Sequence, residues 1–103
     1  MLSILKKIFS TQSVDLAALL TDGAAIIDVR SRAEFMGGHA KGSINIQLEQ
    51  IASQSDKLEK MKHVIVCCRS GNRSGMAKRT LESKGLTNVV NGGSWQNVKQ
   101  YIK

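Results

Sequence analysis

Val64-Ile65-Val66-Cys67-Cys68-Arg69-Ser70-Gly71-Asn72-Arg73-Ser74 is the stretch whose reading decides the fold. A short apolar β-branched run, His63 to Cys67, has the composition of a buried strand. It ends in a thiol and gives way to small and polar residues, and a helix is expected from Asn72 to Ser83 with Gly85 as its stop. In open α/β sheets ligands bind beyond the carboxyl ends of strands, where Cys68 falls. Arg69, Ser70, Gly71 and Asn72 can turn their backbone N–H groups inward as an anion nest, and the positive end of the following helix points at the same place. Arg69 and Arg73 add two permanent charges. Such surroundings lower a thiol pKa and make Cys68 a thiolate nucleophile near neutral pH. Cys67, one residue earlier, must point to the other side of the strand and is expected to pack there.

Outward from this loop the chain alternates between helical and extended patterns. Val14 to Leu20 reads as a helix capped by Ser13 and ended by Gly23, and Ala24 to Val29 as a buried strand. Ser31 and Glu34 form a capping box for a helix through Phe35. A strand is expected at Ser43 to Ile46, a helix at Leu48 to Leu58, a last strand at Asn88 to Asn91 and a last helix at Trp95 to Ile102. Strands separated by helices of this length define an α/β domain with a mostly parallel sheet covered on both faces. Residues 13–103 are expected to form that single domain. Residues 1–12 are an extension in which Met1, Leu2, Ile4, Leu5, Ile8 and Phe9 share one helical face. Docking on the domain or on a second copy is favoured for residues 1–9 over contact with a membrane surface.

Composition narrows the function. The 103 residues contain 42% hydrophobic residues, suited to one core without disulfides or metal. The two cysteines are adjacent and make poor structural staples, so a reducing cytoplasm is the expected location. Only His39 and His63 are available beside them, in no ligand spacing, and neither metal nor cofactor is expected. A formal charge of +7 favours anionic ligands. Four scattered aromatics in no stacking motif argue against nucleic acid.

Four motifs in order resemble the rhodanese (thiosulfate sulfurtransferase) family in its small single-domain bacterial form. Ile26-Ile27-Asp28-Val29-Arg30 with Glu34-Phe35 is similar to the family's first motif, and Gly38-His39-Ala40-Lys41-Gly42-Ser43-Ile44-Asn45-Ile46 to its second. Cys68 to Ser74 resembles the active-site loop, and Asn91-Gly92-Gly93 with Trp95 the turn before the last helix. The resemblance implies a five-stranded, mostly parallel rhodanese-like sheet flanked by helices. It implies Cys68 as a persulfide carrier and residues 69 to 73 as the substrate cradle, receiving sulfur from a small anionic, thiosulfate-like donor and passing it to cyanide or a thiol, including a protein thiol. Gln47 stands where the family often has proline, and only a local change of turn is expected.

The remaining residues divide between chemistry and support. Ser70 and Gly71 serve through their backbones, glycine where φ > 0 or close approach is needed. Arg73 either meets the donor's anionic end or caps the helix start. Asp28, Arg30 and Ser74 read as support, with Arg30 free to pair with Glu34. His39 reads as a hydrogen-bonded corner, His63 as solvent-facing and Trp95 as packing for the last helix. A tyrosine phosphatase or arsenate reductase also uses a strand-end Cys, a nest and an Arg, but with five intervening residues. Four separate Cys68 from Arg73, a tighter loop suited to one sulfur atom. A purely regulatory binding domain is the other alternative, against which the presence of Cys68 argues.

Overall fold

The computed structural model describes residues 16–102; the expected extension over residues 1–12 and the Ser13 cap lie outside them. The described chain runs α1 Leu16–Thr21, β1 Ala25–Asp28, α2 Arg32–Met36, β2 Ile44–Asn45, 3₁₀ turns Leu48–Gln50 and Ala52–Gln54, and α3 Ser55–Glu59. It continues through β3 Val64–Cys68, α4 Asn72–Ser83, β4 Val89–Ser94 and α5 Trp95–Lys99. The strands form one parallel sheet in the order β2-β1-β3-β4. Four strands stand where five were expected, because residues 16–102 offer four extended runs.

β3 is central, and its side chains alternate between two cores, so an unbroken apolar run is what the position requires. Val64, Val66 and Cys68 join Ile27, Val29, Ile51, Leu58, Ala77 and Leu81 on the face covered by α4, α3 and the 3₁₀ turns. Ile65 and Cys67 join Ile26, Leu16 and Val98 on the other, covered by α1 and α5 with Trp95, Tyr101 and Ile102. Burying each such Ile, Leu or Val contributes about 1.5–3 kcal/mol.

Three segments differ from the sequence expectation for local reasons. The expected helix Leu48 to Leu58 breaks into two 3₁₀ turns and a short helix, since neither Gln47, Ile51 nor Gln54 supplies a side-chain cap. Gln47 itself holds φ −62°, the angle proline would impose, so the turn survives its replacement. The last strand runs on through Gly92-Gly93 as a bulge, where Val66 pairs Asn91 and Cys67 pairs Gly93. A Cβ on Gly92 would lie 2.6 Å from Val98 Cγ2 and 2.7 Å from Ile65 Cγ2, so only glycine fits. The last helix stops at Lys99, and Tyr101 and Ile102 turn back onto the core.

Candidate active site

β3 delivers Cys68 to its carboxyl end on the α4 side, 1% exposed overall. The chain then reverses through Gly71, whose φ of +100° is a left-handed conformation that favours glycine, and enters α4. This turn points the Gly71 N–H at Cys68 Sγ, 2.9 Å away. Ser74, on the first turn of α4 and fully buried, places its Oγ 3.3 Å from the same sulfur. Burial pushes the Cys68 thiol up, but the Ser74 hydroxyl and the N–H groups of Ser74, Ser70 and Gly71 outweigh it and hold the pKa below the usual thiol value. Among the described residues Cys67 has no such donors; burial, with Asp28 nearby, raises it to about 12.

Arg73 is not directed at Cys68. Its guanidinium clasps the Glu34 carboxylate with Nη1–Oε1 2.7 Å and Nη2–Oε2 2.9 Å. Glu34 also completes the expected capping box with Ser31. The Arg73 contact, with the Ser31 N–H next, lowers the Glu34 carboxyl to about 2. The clasp ties α2 to the start of α4, and it engages the arginine for which the sequence left open a place at the donor's anionic end or at the helix start. Arg69, Ser70 and Asn72 remain exposed around the mouth. Among the described residues Arg69 has no carboxylate partner, so it is the exposed, uncompensated positive charge of the loop.

Beneath the loop, Asp28 and Arg30 form a buried pair rather than the expected Arg30–Glu34 pair. Asp28 accepts from Arg30 N at 3.0 Å and from Nε and Nη2, with Nη2–Oδ2 at 2.7 Å. A buried carboxylate two residues away is the nearer and less hydrated partner, and Arg30 meets Glu34 only through its carbonyl, at 3.3 Å. Arg30 Nη2 also donates to Gly38 O at 2.7 Å, and its guanidinium lies 5.0 Å from the Trp95 ring centroid. Asn45 Nδ2 donates to Asp28 O and Arg30 O. This knot joins the first two sequence motifs to the start of α5, consistent with a supporting part for Asp28 and Arg30.

The other singled-out residues lie away from the sulfur. His39 stacks on Phe35 with centroids 3.8 Å apart and meets Phe35 O through Nδ1 at 2.8 Å. His63 is partly covered and pairs with Asp22 at 2.8 Å. Asn91 was missed as a site residue. Its Oδ1 accepts from Ser74 Oγ at 2.7 Å, and the only trace in the sequence was its place before Gly92-Gly93. Among the described residues no three His, Cys, Asp or Glu side chains gather as metal ligands, and no helix is long and apolar enough to cross a membrane.

A parallel α/β sheet that presents a strand-end thiol to a loop of N–H donors defines a rhodanese-like domain, and residues 13–100 match the family model of that description. The chain belongs to the rhodanese-like domain family. It is 40% identical over 68 residues to the uncharacterized protein YqhL of Bacillus subtilis, covering 66% of this chain and 54% of that protein, so it spans about half of that relative's length. Over 78 residues it is 33% identical to the thiosulfate sulfurtransferase GlpE of Pseudomonas savastanoi pv. phaseolicola, covering 74% of each. A rhodanese from E. coli solved with anions superposes with a TM-score of 0.66 at 32% identity, covering 73% of this chain and 91% of that one. The similar proteins thus include sulfurtransferases.

Proposed function

We propose that this chain is a thiosulfate-type sulfurtransferase in which Cys68 carries the sulfur. The Cys68 thiolate attacks the outer, sulfane sulfur of a thiosulfate-like donor. A new Sγ–S bond forms, the donor's S–S bond breaks, and sulfite leaves with the electron pair of that bond. The enzyme persulfide then meets cyanide or a thiolate, including a protein thiolate, which bonds to the outer sulfur and returns the pair to Cys68 Sγ. Atoms and electrons balance without metal or cofactor, and without a general base, since both leaving groups are stable anions.

The observation that carries this reading is the Gly71 N–H at 2.9 Å from Sγ at the mouth of a nest aligned with the N-terminus of α4. N–H groups of Ser70, Gly71 and Asn72 would hold the outer sulfur's charge as an oxyanion hole holds oxygen. Arg69 steers the anionic donor, and Arg73 contributes by holding the loop through Glu34. Ser74, Asp28 and Arg30 support the loop. The same clasp speaks against phosphoryl transfer, which would require that arginine for the phosphate. Residues 13–103 act as one catalytic domain, and a reducing cytoplasm would keep Cys68 available as a thiolate.

Intact mass after incubation with thiosulfate tests the proposal. A gain of one sulfur atom, removed by cyanide with turnover, is expected. No sulfur gain, or turnover of aryl phosphates comparable with sulfur transfer, would overturn it.

A further inference from the structure

The Ser74 hydroxyl carries one proton and has two acceptors within reach. Asn91 Oδ1 lies 2.7 Å from Ser74 Oγ, and Cys68 Sγ lies 3.3 Å from it. The Asn91 amide has a fixed sense, because Nδ2 reaches Gly71 O at 3.3 Å while Oδ1 accepts the Gly93 N–H at 2.9 Å. The atom facing Ser74 is therefore a carbonyl oxygen that can only accept, and Ser74 donates to it. In that arrangement Ser74 offers Cys68 a lone pair, which suits a thiol whose S–H points at Oγ. A thiolate needs the opposite, a proton from Ser74. Asn91 Oδ1 can release that proton because the Gly93 N–H still occupies it.

We propose that Asn91 is a positioning residue that sets where the Ser74 hydroxyl proton points, toward Cys68 Sγ or toward its own Oδ1. The proposal rests on Cys68 being the sulfur carrier. With the bare thiolate the hydroxyl turns to Sγ. Once sulfur is loaded, the charge moves to the outer sulfur in the nest, and the hydroxyl turns back to Asn91. The side chain on β4 thereby sets the balance between the neutral and charged forms of Cys68 without touching it. Burial of Ser74 keeps solvent from competing for the proton. The bulge supplies the register: it places Gly93, not Gly92, opposite Cys67 and lets one Asn hold Gly71, Ser74 and Gly93 together.

The charged and titratable groups around Cys68 are Asp28 at the end of β1, Arg30 after it, Glu34 on α2, Arg69 in the loop, Arg73 on α4 and Cys67. β4 carries none. All are unchanged in Asn91→Ala and Ser74→Ala; Asn91→Asp alone adds a carboxylate, whose direct effect on Cys68 is the part of its shift that persists without the Ser74 hydroxyl.

The test is the pH profile of iodoacetamide alkylation at Cys68, read site by site in the full chain. Asn91→Ala leaves Ser74 free for the thiolate and should lower the midpoint by roughly half to one pH unit, the worth of one ordinary hydrogen bond. Asn91→Asp keeps an acceptor, adds charge and should raise it. Ser74→Ala should raise it too, and in that background Asn91→Ala should have no further effect. A merely structural tether on Gly71 would move Asn91→Ala and Asn91→Asp in the same direction, which would overturn the proposal, as would an Asn91→Ala shift that persists without Ser74. Should Asn91→Ala lose its cooperative melt, the rise in Asn91→Asp must shrink in the Ser74→Ala background, and an undiminished rise overturns the proposal. Alkylation requires no sulfur transfer, so failure here with normal thiosulfate loading leaves the sulfur carrier standing. Failure of loading alone condemns the carrier instead.

Discussion

Cys67 and Cys68 are neighbours in one strand, equally inaccessible at 0% and 1% exposure, and opposite in chemistry. Cys67 lies among Leu16, Ile26, Ile65 and Val98, where no donor among the described residues faces its sulfur, and its thiol is pushed up to about 12. Cys68 lies on the other face, and the Gly71 N–H and Ser74 hydroxyl at the strand end hold it below the ordinary value. Burial alone makes an inert thiol. What separates the two is the supply of hydrogen-bond donors, which the sheet can offer only where a strand stops and a helix begins.

The sharpest way to break the comparison is to exchange the sulfurs for oxygens. Cys68→Ser should lose sulfur loading and reduce thiosulfate-to-cyanide turnover by at least roughly 10³-fold, as losing a covalent nucleophile does. Cys67→Ser should keep most of the turnover, with a loss of about 1–3 kcal/mol of stability from an apolar site receiving a hydroxyl. Steady-state rates and thermal melts on the two variants check both.

A second change attacks the donors instead of the sulfur. Gly71→Ala forces a side chain into φ +100°, which costs about 1–2 kcal/mol, or roughly 4–16 °C in Tm for a domain of this size. Because the strain falls on the N–H that faces Sγ, Cys68 should also alkylate more slowly at mildly acidic pH while Cys67 is unaffected. A normal melt with normal Cys68 reactivity would separate the turn from the thiolate.

Much of this was legible in the sequence because it rests on local chemistry. The helix Asn72 to Ser83 was expected to the residue, its ends set by Gly71 and the Gly85 stop. The capping box of Ser31 and Glu34 was read from spacing alone. The opposite faces of Cys67 and Cys68 followed from strand alternation. Partner choice across the fold did not. Glu34 finds Arg73, 39 positions later, because the fold brings the two side chains together across separate elements, and nothing in either segment encodes that meeting. Asn91 was missed for the same reason: Asn before two glycines reads as a turn, and only a sheet register with a bulge sets it against Ser74.

The arginines give smaller effects that sharpen the same contrast. Arg69→Ala should raise KM for thiosulfate about tenfold, the worth of one charge-assisted hydrogen bond, with kcat little changed, and added salt should do likewise to the native protein. Arg73→Ala should show chiefly as a lowered Tm, since its guanidinium holds Glu34. A KM effect larger for Arg73 than for Arg69 would put Arg73 back at the donor.

Acid should reveal the clasp. Glu34 titrates near 2 in the fold against an ordinary 4.5, so the folded state favours the charged form. Its contribution is present above the ordinary value and is lost as pH falls from there toward 2. Melts across that window should therefore decline, and Glu34→Gln should flatten the decline while leaving the curve at pH 7 lower. An identical slope in the variant would remove Glu34 from acid stability.

The most direct measurement is to locate the sulfur. Cleavage after Lys62 and Arg69 leaves both thiols on one peptide, His63 to Arg69, so fragmentation between Cys67 and Cys68 must place the added atom. After thiosulfate treatment and tagging of the persulfide, the account predicts fragments that carry the extra sulfur on Cys68, with Cys67 unmodified. Sulfur on Cys67, or on neither residue while turnover persists, would contradict it.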